Sequence, residues 1–227
     1  MTATLDAPKA AVAPSPPGRL RVMLLAVIAV AVLVIAAGVG WLVRGDGGAG
    51  SNAMPTASSV DAGFARDMAT HHTQAVTMAG YERDNTTNPA LKNLAFDIET
   101  SQESQVGEFQ GWLDTWGLSR NSPDPMSWMG SSHMAMGSDG LMPGMATPAQ
   151  MSKLETLHGK ALDVFFLQLM IRHHQGGIPM AQYAEEHASE PYVRTVAGHI
   201  VAGQSAEIIE MEQLLRQLGS SPLSPPS

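Results

Sequence analysis

Apolar residues in the later part of the chain recur at helical spacing, and no segment alternates apolar and polar positions as a half-buried strand would. One set falls at Leu91, Leu94, Ile98, Phe109, Trp112 and Leu113, another at Val193, Val196, Ile200, Ile208, Met211, Leu215 and Leu218. Such steps gather side chains on one face of an α-helix. Start and stop signals divide the pattern into four helices. Ser58 or Ser59 can cap the first, which runs through a His-His pair to about Asn85; Asn88 with Pro89 opens the second, which ends at Gly117. Thr147-Pro148-Ala149-Gln150 is a capping box that opens the third. Ser189 or Glu190 before Pro191 opens the fourth, which stops at Gly219. The pattern predicts an all-α fold, two helical hairpins forming a four-helix bundle over residues 60–219, followed by a tail at 220–227.

The two hairpins are copies of one unit. Residues 64–117 align without a gap with 166–219 at a constant offset of 102. Phe64, Met68, His71, His72, Met78, Ala79 and Tyr81 match Phe166, Met170, His173, His174, Met180, Ala181 and Tyr183. Duplication explains the matches by itself. The retained chemistry is more telling: two imidazoles bracketed by thioethers, a set suited to soft metals. On a helix Met68, His71 and Met78 share one stripe with His72 and Ala75 beside it, and Met170, His173 and Met180 repeat it beside His174 and Gly177. A pseudo-twofold packing of the hairpins would bring the stripes together. Methionine at helical spacing is also ordinary core filler. Gln102 and Gln204, with Gln105 and Glu207 three residues on, fall near the apolar faces of the second and fourth helices. Gln102, Gln204, Glu207 and Gln105 are candidates to orient a ligating imidazole through its other nitrogen, with ordinary polar surface residues as the alternative.

Residues 118–146, between the hairpins, lack sustained periodicity, and a loop of that length is functional or disordered. Met126, Met129, Met134, Met136, Met142 and Met145 surround His133 and Trp128 there, a second candidate metal cluster. Its alternative is a set of methionines packed on the bundle or on a partner. Glu155-Thr156-Leu157-His158 matches the Glu-x-x-His of di-iron bundles, but only once and without the further glutamates such a site needs.

The N-terminus changes the setting. Residues 22–43 are a 22-residue apolar run without a charge, long enough for a hydrocarbon core of about 30 Å and longer than the apolar part of a cleaved signal peptide. Residues 19–44 therefore read as a single-pass transmembrane anchor, with a signal peptide cleaved at Ser51-Asn52-Ala53 as the alternative. Lys9, Arg19 and Arg21 precede the run, so the positive-inside bias leaves residues 1–18, rich in Pro and Ala, as a disordered cytoplasmic tail. Residues 45–59 form a flexible tether and the bundle is extracytoplasmic. Net charge is −8, and the first 59 residues hold four basic and two acidic side chains, so the bundle is more acidic still. That balance argues against nucleic acid as a partner and attracts cations. Cysteine is absent, which excludes disulfides and thiolate metal sites; soft ligands must come from Met or His.

The chain resembles the domain of unknown function 305 family. The resemblance rests on Gly144, Met145, Met151, Leu154, Asp163, Phe166, Leu167, Met170, Ile171, His173, His174, Met180 and Ala181, then Ile200, Gln204, Glu207, Ile208 and Met211. The first copy carries the motif at Met68, His71, His72, Ala75, Met78 and Ala79, with Gln105 where the family usually has Glu. Gly176, Gly177 and Pro179 depart from its usual run, which predicts a less regular helix there. The resemblance implies a ferritin-like four-helix fold, an exported location and, for some relatives, copper binding and tolerance.

Together these readings give a membrane-anchored protein that sequesters or transfers copper, as Cu(I) or Cu(II), with zinc as a weaker expectation. The ligands are expected from His71, His72, His173 and His174 with Met68, Met78, Met170 and Met180; no catalytic residue is assigned. The rival is a non-catalytic interaction module that holds another membrane or exported protein. A ferritin-like metal-dependent oxidase ranks below both. Free imidazole titrates near 6.5, so protons are expected to compete with metal at the His pairs between about pH 7 and pH 5.

Overall fold

The computed structural model describes residues 54–122, 124–130, 136–137 and 139–226, and those residues hold five α-helices and no strand. They are α1 (Val60–Asn85), α2 (Pro89–Thr115), α3 (Pro148–Leu154), α4 (Gly159–His187) and α5 (Pro191–Gln217), with a 3-10 turn at Ser127–Met129. The tail and anchor expected over 1–44 lie outside the described residues, as do residues 45–53 of the tether, His133 and Met134. Among the described residues no helix is long and apolar enough to cross a membrane.

Local signals set most helix ends. Ser59 accepts a hydrogen bond from the Ala62 amide, and Asn88 accepts one from Ala90 ahead of Pro89. Gly117 and Gly219, equivalent in the two copies, follow α2 and α5 with φ of +68° and +70°, the left-handed stop a glycine favours. The third expected helix is corrected. Its capping box forms as read, with Thr147 and Gln150 bonded reciprocally, but it opens only the seven-residue α3. The chain then turns through residues 155–158, and α4 starts afresh at Gly159. Glu155 and His158 consequently lie in a turn, off any common helix face, and the di-iron motif loses its geometry.

The start of α5 is also held differently from the expectation. Neither Ser189 nor Glu190 caps it with a side chain; the Asp61 carboxylate of α1 accepts from both their amides, at 3.2 and 2.8 Å. Asp163, the repeat equivalent of Asp61, accepts from the Thr86 hydroxyl at 2.8 Å, just ahead of α2. Each hairpin's first helix thus reaches the turn inside the other hairpin. These reciprocal contacts, with the packing of α1 on α4, give the duplicated sequence its pseudo-twofold arrangement.

Two apolar cores result. One gathers Phe64, Met68, Phe109, Leu113, Met180 and Ile200; the other gathers Phe166, Met170, Met211, Leu215, Met78 and Ile98. The members correspond across the repeat. Along both α1 and α4 the histidine pair separates residues of one core from residues of the other, so the imidazoles form a polar layer between two apolar ones.

Candidate metal centre

The stripes do meet. His71, His72, His173 and His174 are all 0% exposed, as are Met68, Met78, Met170 and Met180. The rings of His71 and His173 touch across the interface of α1 and α4, with centroids 3.8 Å apart and planes inclined by 38°. Two charged imidazoles could not share that contact, and burial keeps the rings neutral. Desolvation lowers His71 to about 4, against the bond to Pro143, and His72 to about 3, helped by the neighbouring His71. Burial, then His71 and His174, hold His173 well below its ordinary value.

Hydrogen bonding fixes the tautomers. His71 Nε2 lies 3.1 Å from the Pro143 carbonyl and His173 Nε2 lies 3.0 Å from the His71 carbonyl. A carbonyl only accepts, so each Nε2 carries the proton and donates. His174 Nε2–H donates to Glu207 Oε2 at 2.6 Å, and His72 Nε2–H donates to Gln105 Oε1 at 2.8 Å. A neutral ring has one N–H, so where Nε2 donates, the Nδ1 lone pair is free, as at His71, His72 and His173. All four Nδ1 atoms are buried and none has a hydrogen-bond partner. An unpaired buried acceptor costs roughly 1–3 kcal/mol, and native folds keep few of them. Four in one layer, each with its opposite nitrogen anchored, is the arrangement that hydrogen bonds to the far nitrogen create at metal-binding imidazoles.

Close backbone approach builds this layer. A Cβ on Gly176 would come within 2.0 Å of the Pro143 carbonyl oxygen, and one on Gly144, at φ +82°, within 2.4 Å of the Arg172 carbonyl oxygen. Glycine at both positions lets the segment before α3 sit against α4 and aim Pro143 at His71. Gly177 does the same for side chains: a Cβ there would be 3.2 Å from His71 Cε1 and 3.0 Å from Gln204 Oε1. The departures from the family run therefore serve packing, and α4 remains helical through Pro179.

Of the orienting residues expected from sequence, Glu207 meets a histidine. Gln105, its equivalent in the first copy, meets His72. Gln102 and Gln204 instead leave both amide atoms buried without partners. With Gln105, His199 and Glu207 they line a cleft of about 100 Å³ between α2 and α5.

The Met-rich segment is held differently. Met126, Met129 and Met142 are buried in the core around Phe64, and Met136 and Met145 pack against it. Asp67 Oδ2 accepts from the Met126 amide at 2.6 Å and from Trp128 Nε1 at 2.7 Å. Gln74 bonds Ala146 through both its amide atoms, at 2.7 and 2.9 Å. The segment is a strap tied to α1 on either side of the first His pair. Met136, Met142 and Met145 also line a pocket of about 260 Å³ beside Asp67.

Among the described residues no group of three or more His, Asp or Glu converges as a ready-made cage. That removes the support for a zinc site of imidazole and carboxylate. What the layer does gather is buried imidazole and thioether, donor types that suit Cu(I) and other soft ions.

The family of domain of unknown function DUF305 matches residues 61–215, and the chain belongs to it. A candidate secreted DUF305 protein from Streptomyces coelicolor is 43% identical, covering 74% of this chain and 98% of that one, with a TM-score of 0.68. A DUF305 fragment from Deinococcus radiodurans is 31% identical over 71% of this chain and 97% of its own, with a TM-score of 0.59. CopM in its Cu(II)-bound form is 27% identical over 70% of this chain and 97% of its own, at a TM-score of 0.53; CopM has also been solved in a Cu(I)-bound form. No curated protein matches the chain.

Proposed function

We propose that this DUF305 chain is a membrane-anchored, extracytoplasmic copper-binding protein that sequesters the ion or hands it on. The observation that carries the reading is the set of four buried, partnerless Nδ1 atoms of His71, His72, His173 and His174, on rings whose Nε2 atoms are all anchored. Met68, Met78, Met170 and Met180 bracket them as buried thioethers. The copper-bound forms of the related CopM support copper as the cargo. The candidate secreted relative and the apolar run at residues 22–43 support an exported, anchored protein. Neutral imidazole and thioether together hold Cu(I) without releasing a proton, so uptake needs no deprotonation step.

The Met-rich strap is a secondary reservoir in this reading. Its pocket offers thioethers from Met136, Met142 and Met145, while Met126 and Met129 serve the core. An oxidase has less support, because Glu155 and His158 share no helix face.

Anaerobic titration of the purified protein with Cu(I), in competition with a chromophoric chelator, tests the proposal. Binding tighter than micromolar, lost when the four histidines are replaced, is the expected result. Weaker binding for both Cu(I) and Cu(II) would remove copper as the cargo.

A further inference from the structure

The two copies agree in the His pair, the flanking methionines and the free Nδ1 atoms, and differ in one charge beside them. Positions 105 and 207 are equivalent under the offset of 102; the first holds Gln and the second Glu. Both side chains do the same geometric task, accepting the Nε2–H of His72 at 2.8 Å and of His174 at 2.6 Å. Only Glu207 adds negative charge. It sits in the mouth of the cleft between α2 and α5 with its side chain 25% exposed, and no Lys or Arg lines that cleft. Among the described residues it makes no ion pair with a Lys or Arg. A carboxylate behind an imidazole strengthens the opposite nitrogen as a donor, and in a partly buried site its charge is weakly screened. Both effects favour a dication over a monocation.

We infer that Glu207 sets the charge preference of the centre. Through His174 it favours divalent copper, whereas His72, backed by the neutral Gln105, favours the monovalent ion. This rests on the copper reading above and assigns its two halves to different charge states. The partnerless amides of Gln102 and Gln204, which line the same cleft, offer neutral dipoles beside both halves and do not offset the asymmetry. A centre with unequal halves can hold copper on either side of a one-electron change without rebuilding its ligands.

The test uses the full chain and the isosteric variant Glu207→Gln, with Gln105→Glu as its reciprocal. Cu(I) and Ag(I) affinities are read by chelator competition, and Cu(II) affinity by competition together with its electron paramagnetic resonance spectrum. Glu207→Gln should weaken Cu(II) by about 10- to 100-fold, the usual consequence of losing a second-shell partner, and leave Cu(I) and Ag(I) much less affected. Gln105→Glu should strengthen Cu(II) and alter its spectrum, which a merely structural role would not do. Wild-type protein that binds neither ion overturns the copper reading itself. Wild-type protein that binds both, with Glu207→Gln changing the affinities equally or not at all, overturns only the charge assignment.

Discussion

The histidine layer and the Met-rich strap are both buried, both rich in soft ligands and both attached to α1, yet their polar groups are treated in opposite ways. In the strap the donors are met: Asp67 takes the Met126 amide and the Trp128 indole, and Gln74 takes both backbone groups of Ala146. In the layer each ring is anchored on one side and left unsatisfied on the other. Saturated contacts are what stability demands; a repeated, oriented unsatisfied acceptor is a cost that folding alone gives no reason to keep. In the proposed reading the layer binds the ligand and most of the strap is structural.

The sharpest way to break that division is His173→Leu. It removes one free Nδ1 and the ring contact with His71, so copper affinity should fall by about a hundredfold or more, beyond what outer-shell changes give. Apoprotein stability should be unchanged or higher, because a buried acceptor costing roughly 1–3 kcal/mol disappears. Urea unfolding reads the second quantity. A large loss of stability would make His173 a structural residue.

Asp67→Ala applies the same logic to the strap with the signs exchanged. It leaves the Met126 amide and the Trp128 indole without their acceptor and should cost about 2–3 kcal/mol by urea unfolding. Copper binding at the histidines should change little. A variant as stable as the parent but deficient in copper would reverse the comparison.

Acid sharpens it further. In the unfolded chain the imidazoles protonate near 6.5, while in the fold burial delays His71 to about 4 and His72 to about 3. The unfolded state therefore binds more protons between those values, so this contribution to stability is full above about pH 6.5 and is lost as pH falls toward 4. The slope is up to about 1.4 kcal/mol per pH unit for each ring. At His71 and His72 the same shift should weaken the proton competition with copper expected from sequence between pH 7 and pH 5. The folded His71 and His72 rings stay neutral there, so Cu(I) affinity should fall less between pH 7 and pH 5 than free imidazole ligands would give. A steep loss between the two would show that solvent reaches the layer.

A smaller effect of opposite slope comes from Glu82. Burial, then the neighbouring Asp163 carboxylate, push it up to about 8. The folded state keeps a proton that the unfolded state has lost, so stability declines as pH rises from about 4.5 to 8. Glu82→Gln should flatten that limb and stabilise the fold at pH 8. Thermal melts at pH 6 and pH 8 measure it, and an unaltered pH slope would contradict the shift.

Much of this was legible in the chain because it is local or periodic. Apolar spacing, the caps at Ser59 and Asn88, the stops at Gly117 and Gly219 and the offset of 102 gave the helices and their pairing. What escaped depends on distant contacts. The capping box at Thr147 is genuine but says nothing of where its helix ends, and the turn before Gly159 has no strong stop signal. Asp61 meets the start of α5 across 128 residues or more, and Pro143 reaches His71 across 72. Gly144 and Gly176 were the available hints of that approach, since each marks a place where backbone passes backbone.

The most direct test of the central claim is nitrogen-15 NMR of the imidazoles, with Ag(I) as a diamagnetic soft ion. Apoprotein should show His71, His72 and His173 as neutral rings protonated at Nε2. Added Ag(I) should shift their Nδ1 resonances while the Nε2 protons persist. Shifts confined to the methionine methyls of the strap, or apoprotein rings protonated at Nδ1, would contradict the account.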